Sequence, residues 1–238
     1  GWLVIDLGMA DLVPFHKGYF GHSQRDLPYT RPEHIRILLE DLGPVFIKLG
    51  QVLSTRPDMI PPNFVTELSR LQDKAPPVPY SAIATVVEAE LGAPPEVVFA
   101  EFDPIPRASA SLGQAHAARL HDGTPVIVKV QRPEINHVVN EDLAVLADLA
   151  QLAMTRTTLG DYYDLSEWVK EFGYTLRDEL DYTQEGHNAD RIRHSFADDP
   201  ALHVPRVYWE HSTPRVLTME EVRGVKISDV AALAEGVI

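Results

Sequence analysis

Apolar residues along the first hundred positions recur at the three-and-four spacing of amphipathic helices, broken by proline and glycine. Residues 1–27, with apolar positions 3, 4, 5, 7, 12 and 13, are expected to be helical. The run TRPEHIRILLEDLG (30–43) predicts a helix. Thr30 can cap it, Pro32 sits near the first turn, Glu33 completes a capping box and Gly43 stops it. A second helix is predicted from Pro44 to about Thr55, a proline-punctuated turn over RPDMIPPNFV, and a short helix from Asn63 to about Leu71. DKAPPVPY reads as a stiff connector, after which Ser81 is expected to cap AIATVVEAELG and Gly92 to close it.

After PPEVVFAEFDPIP the period changes. SLGQAHAARLHDGTPVIVKVQRP reads as a β-hairpin whose HDGT turn supplies Asp-Gly. On the returning strand Val126, Val128 and Val130 share one face, and Ile127 and Lys129 the other. Helices are predicted over about 134–156 and, unbroken, from near Leu165 to about Phe196, with Trp168, Phe172, Leu176 and Leu180 as a core-facing stripe. Two strands follow, HVPRVYWEH and RVLTMEEV, joined by a Ser-Thr-Pro turn. A last helix then begins near Ser228 or Asp229. The fold class expected is α+β: a small antiparallel sheet with helices on it.

Composition narrows the function. None of the 238 residues is cysteine, which excludes disulfides and cysteine-based zinc sites. A net charge of −14 argues against nucleic acid as a partner. Asp6 and Asp11 interrupt any secretory apolar core. LAVLADLAQLAM (143–154) is too short to span a bilayer and contains Asp148. The chain opens without Met and stops in what reads as mid-helix, so a fragment of a longer protein is expected.

The candidate chemistry is cationic and acidic. Lys48 and Gln51 share a face of an otherwise greasy helix, where a solvated polar edge is the plain alternative. Lys129 lies on an apolar strand and needs either a partner or a route to water. RDELDYTQEGHNADRIR (177–193) offers carboxylates, with Asp181 and Glu185 one turn apart and Glu179 aimed elsewhere; a solvated acidic face is the alternative. Ala108, Ser109, Ala110, Ser111, Leu112 and Gly113 ahead of the hairpin form a stretch of mostly small residues, which lets backbone N–H groups approach an anion. Strand, small-residue loop, strand and a lysine about fifteen residues on is the layout of a kinase amino-terminal lobe.

Over roughly residues 30–229 the chain resembles the UbiB/aarF-domain atypical kinases. KLGQ (48–51) followed by STRPDMIPP, ASASLGQAH (108–116), VIVKVQRP (126–133) and ELDYTQEGHNADR (179–191) match that family's Lys-x-Gly-Gln, alanine-rich loop, nucleotide-lysine and Glu-x-Asp segments. The resemblance implies three segments. Residues 1–100 would be a helical extension, 101–222 a kinase-like amino-terminal lobe, and 223–238 the hinge and start of a truncated carboxy-terminal lobe. It implies that Lys48 pairs Glu179 or Asp181 as a buried gate and that Gln51 faces the cleft. Lys129 would contact ATP phosphates and pair Glu185, also buried, with Ala108 to Gly113 covering the phosphates. Met219 would be the gatekeeper, with backbone of Glu220 to Val222 at adenine.

Because alanine disfavours positive φ, the loop is expected to be stiffer than a glycine-rich one. That favours slow ATP hydrolysis or phosphorylation of something small. No His-x-Asp…Asn or Asp-Phe-Gly segment is found, so this stretch by itself is expected to lack base and metal ligands and to be inactive, with Mg2+ needed only in the full-length protein. By resemblance the partners are a nucleotide and an isoprenoid lipid or quinone precursor, with peripheral membrane contact. The location implied is cytoplasmic, membrane-associated in the full-length protein. Two alternatives stand beside the enzyme. One is a non-catalytic pseudokinase-like or lipid-binding accessory module; the other is a purely structural α+β domain.

Overall fold

The computed structural model describes residues 30–71, 75–156 and 164–225. The helices expected over 1–27 and after about residue 228 lie outside them. Two compact units are formed, residues 1–75 with 134–176 and residues 76–133 with 177–238. These units do not follow the borders 1–100, 101–222 and 223–238. The helix at 80–91 groups with the sheet, and 134–176 with the amino-terminal helices.

In the first unit α1 (Arg31–Leu42), α2 (Pro44–Ser54) and α3 (Pro62–Leu68) pack together, and α6 (Ile135–Arg156) meets α2. The Glu33 carboxylate accepts from the Thr30 N–H at 2.6 Å and from its hydroxyl at 2.8 Å, which fixes the start of α1. Gly43, at φ 110°, lets α2 begin without an intervening loop. Leu39, Val45, Phe46, Leu49, Leu68 and Leu71 are buried. Buried Glu67 is held by Arg36 Nε and Arg70 Nη1, each at 2.7 Å. In α6 Ile135, Val139, Leu143, Leu146 and Ala150 form the buried stripe.

The second unit is built on a sheet with the order β1-β3-β4-β5: β1 Glu101–Phe102, β3 Gly113–Arg119, β4 Pro125–Gln131 and β5 Val216–Glu220. A further two-residue strand, β2 (Ala108–Ser109), also pairs with β3. All the pairings are antiparallel. The expected hairpin is present, with Arg119 opposite Pro125 and Gly123 at φ 89° in a five-residue Leu120–Thr124 connection. Val126, Val128 and Val130 are fully buried with Ile83 and Val87 of α4 (Tyr80–Leu91), Phe99 and Val216. A one-turn helix, α5 (Pro95–Val98), leads into β1.

Three expectations are corrected. Ser81 is not a cap, because Pro79 presets the turn and α4 starts two residues earlier than expected, at Tyr80. Residues 203–211 do not form a full strand. Pro205 has no N–H to give, so pairing shrinks to a Val207–Met219 bridge before a 3-10 turn at Trp209–His211. The predicted helix 165–196 is two helices, α7 (Leu165–Leu180) and α8 (Tyr182–Ser195). At the break Asp181 takes extended backbone and accepts from the Thr183 N–H at 3.0 Å, capping α8. The Gln131 amide donates to the Leu180 carbonyl, and Tyr182 N–H donates to the Pro214 carbonyl at 3.0 Å. Tertiary hydrogen bonds thus replace the helical ones.

Asp142 on α6 holds a buried carboxylate oxygen with no hydrogen-bonding partner among the described residues. Burial, helped by the neighbouring charge of Glu141, pushes its pKa up to about 6. The folded state therefore prefers the protonated acid. Its charge penalty is complete above that pKa and disappears as pH falls toward the ordinary value of about 4. Asp142→Asn is expected to raise stability at pH 7 by about 1 kcal/mol, a figure reduced for solvent screening at this half-exposed group. Urea denaturation at pH 7 and pH 4 should show the gain only at the higher pH.

Candidate functional site

Alternation along β4 puts Ile127 and Lys129 on the face opposite the valines. Cross-strand pairing sets Ala117 and Ala115 of β3 opposite them, and Met219 and Leu217 of β5 on the other side. This face is therefore a floor of two alanines, framed by larger side chains, with one ammonium group standing on it. Lys129 Nζ lies 2.5 Å from Glu185 Oε2 and 4.5 Å from the centroid of the Tyr182 ring. The pair is not buried as expected: the two side chains are 34% and 46% exposed. A pair this open contributes about 0–1 kcal/mol to folding.

Glu185 is aimed by the way α8 is seated. Tyr182, Val207 and Leu217 form a small core joined by Ala189, Trp209 and Met219. The Trp209 indole donates to Asp190 at 2.7 Å, and the His187 ring stacks on it at 4.5 Å. Gly186 faces the indole; a Cβ there would stand 2.7 Å from Trp209 Cη2. Tyr182 is buried, and its hydroxyl, without a partner among the described residues, lies against Gly113. Burial, then the charges of Glu185 and Glu179, push its pKa above the ordinary phenol value.

The small-residue stretch is shorter as a loop than expected, since Ala108 and Ser109 belong to β2. Ala110 N–H donates to the Gly113 carbonyl at 2.8 Å, closing a tight turn over Ser111 and Leu112, both buried. None of residues 108–113 has a positive φ. The loop is pinned from below by Arg132, which the sequence reading passed over as the end of a motif. Met219 sits on β5 facing the alanine floor. Glu220 and Glu221 donate their N–H groups to the carbonyls of Arg206 (2.8 Å) and Pro125 (3.3 Å), so those donors serve the fold rather than a ligand. Val222 beyond them is half exposed.

The remaining predicted residues have structural engagements. In the first unit Gly50 of KLGQ is a packing glycine: a Cβ would fall on the side chains of Leu71 and Leu39. Gln51 donates to the Leu71 carbonyl at 3.3 Å, so its amide N–H is tied within its own unit. Lys48 is half-buried on α2. In the second unit Asp181 is the α8 cap, one residue outside the helix that carries Glu185, and Glu179 is exposed on the last turn of α7. Among the described residues no group of three or more His, Asp or Glu is placed to hold a metal, and no helix is long and apolar enough to cross a membrane.

A small antiparallel sheet whose central strand presents a lysine to a glutamate on a separately seated helix, beside a short turn, defines a protein-kinase-like amino-terminal lobe. Comparison with known proteins agrees. The chain belongs to the ABC1 atypical kinase-like domain family, whose model matches residues 70–238. It is 43% identical over 212 residues to the probable protein kinase UbiB of Pseudomonas paraeruginosa, covering 89% of this chain and 40% of that protein. It is 42% identical over 216 residues to the same-named protein of Azotobacter vinelandii, with the same coverage. It thus spans less than half the length of these relatives. Among solved structures, a complex of Rv3197 with erythromycin from Mycobacterium tuberculosis matches 81% of the chain and 48% of its own, with TM-score 0.57 and 30% identity.

The seat of α8 is testable. Gly186→Ala is expected to destabilise by about 1–3 kcal/mol through overpacking against the hydrogen-bonded indole, more than the helix-propensity gain of up to about 1 kcal/mol. Denaturation midpoints should show it, and the Gly186→Ala/Trp209→Phe double variant should lose less than the sum of the single losses.

Proposed function

We propose that this chain is the nucleotide-holding part of an ATP-dependent atypical kinase or ATPase supporting ubiquinone or related isoprenoid-lipid metabolism. The observation that carries the reading is the Lys129–Glu185 pair, standing half-exposed on an otherwise apolar face. So open an ion pair does little for folding, and its geometry suits an anion-binding cation held in one orientation by a carboxylate. ATP would supply the phosphoryl group. Lys129 would meet the α- and β-phosphates and Glu185 would orient it. Ala108 to Gly113 would lie over the phosphates, and the base would lie on the Ala115/Ala117 floor beside Met219. The gating role implied for Lys48 belongs to the same reading, and Lys48→Ala would alter nucleotide preference.

A second reading, a lipid-binding accessory module, is favoured by one observation: the mycobacterial relative is seen with erythromycin, which is not a nucleotide.

Equilibrium titration of ATP and of adenosine into the intact protein and its Lys129→Met and Glu185→Gln variants separates the two. Lys129→Met is expected to weaken ATP by roughly tenfold or more, the scale of one charge-assisted contact, while adenosine and the thermal midpoint stay nearly unchanged. Equal ATP affinity in wild type and Lys129→Met would leave the accessory-module reading standing.

A further inference from the structure

Arg132 follows β4, three positions beyond Lys129, and its guanidinium is bound to backbone and hydroxyl oxygens. Nε donates to the Ala110 carbonyl at 3.0 Å. Nη2 donates to the Ser109 hydroxyl at 3.1 Å and to the Pro76 carbonyl at 2.7 Å. The Arg132 backbone N–H donates to the Leu112 carbonyl at 3.0 Å. One residue thus grips Ser109, Ala110 and Leu112, on both sides of the turn, and ties them to the chain segment entering α4. Among the described residues no carboxylate forms an ion pair with it. Burial pulls its pKa below the ordinary arginine value. A planar fork can serve these separate acceptors at once; a lysine ammonium on a flexible stem cannot hold the same geometry.

We infer that Arg132 is a positioning residue for the alanine-rich loop, holding residues 109–112 in the one form in which the loop can lie over a nucleotide's phosphates. The inference rests on the nucleotide reading above for its second half only. The turn has no glycine-like freedom of its own, as none of its residues takes a positive φ. One internal hydrogen bond, from the Ala110 N–H to the Gly113 carbonyl, closes it, and the Arg132 contacts fix where it sits. Because Arg132 directly follows the strand that carries Lys129, a loop fixed to Arg132 is also fixed relative to the Lys129 ammonium.

The test combines hydrogen exchange of peptides covering 108–113 with ATP and adenosine affinity in the intact protein, for Arg132→Lys and Arg132→Gln. Loop exchange is expected to rise by about tenfold or more, the loss of roughly one net hydrogen bond, and ATP affinity to fall while adenosine affinity holds. Loop exchange equal to wild type overturns the inference whatever the nucleotide data show. Faster exchange with unchanged ATP affinity overturns the positioning role. Should the wild type bind no ATP, the nucleotide reading fails, and exchange alone decides whether Arg132 holds the loop. If Arg132→Gln does not fold, Ser109→Ala removes one contact without stranding the guanidinium. It is expected to shift loop exchange in the same direction by less, and no shift there counts against the clamp.

Discussion

Side-chain alternation on β4 is the constraint on which the second unit depends. Val126, Val128 and Val130 must face α4 to complete the core, and this forces Lys129 onto the opposite face, where a lysine brings nothing to packing. At the end of the strand the same alternation puts Gln131 on the Lys129 face, where it is fully buried against the Leu180 and Pro214 carbonyls, and Arg132 beyond it reaches the turn ahead of β3. A register slip of one residue would lose the core, the ion pair and both ties together.

Where a local signal decided the conformation, the sequence was a sufficient guide. The Thr30/Glu33 box, the glycines at 43 and 92, the period-two run of β4 and the Asp-Gly connection each act within a few residues, and each is found. The features that escaped are set from a distance. Near Asp181 the apolar period runs on unbroken, and the aspartate's capping of Thr183 is a weak signal within an acidic run. The break follows from an amide fifty positions away taking the Leu180 carbonyl. Strands of two residues cannot show alternation, so β1 and β2 left no trace. Within the candidate site, the lysine could be read because charge on an apolar strand is visible in one dimension, and its glutamate only through the family resemblance. Arg132 and Trp209 could not, since their meaning lies in what they touch.

The Lys-x-Gly-Gln segment carries a similar lesson. Its glycine permits close approach of Leu39 and Leu71, and its glutamine holds the Leu71 carbonyl. Two of its three named residues thus organise the helices of their own unit. Residues of a sequence signature can serve the packing of a fold, and only the structure shows which of them do. The half-exposed ion pair on β4 is the opposite case: little of the fold's stability rides on it.

The interruption at Asp181 also divides the responsibilities of the acidic stretch. Because α8 starts afresh from its own cap, the rotational phase of Glu185 is counted from Asp181 and owes nothing to the turns before it. An added residue within α7 would turn the buried Phe172 or Leu176 of that helix but leave this count untouched. One added between Asp181 and Glu185 would swing the carboxylate by about 100° around the helix axis, away from its lysine. Length variation upstream of the aspartate therefore costs packing, and just after it the ion pair itself.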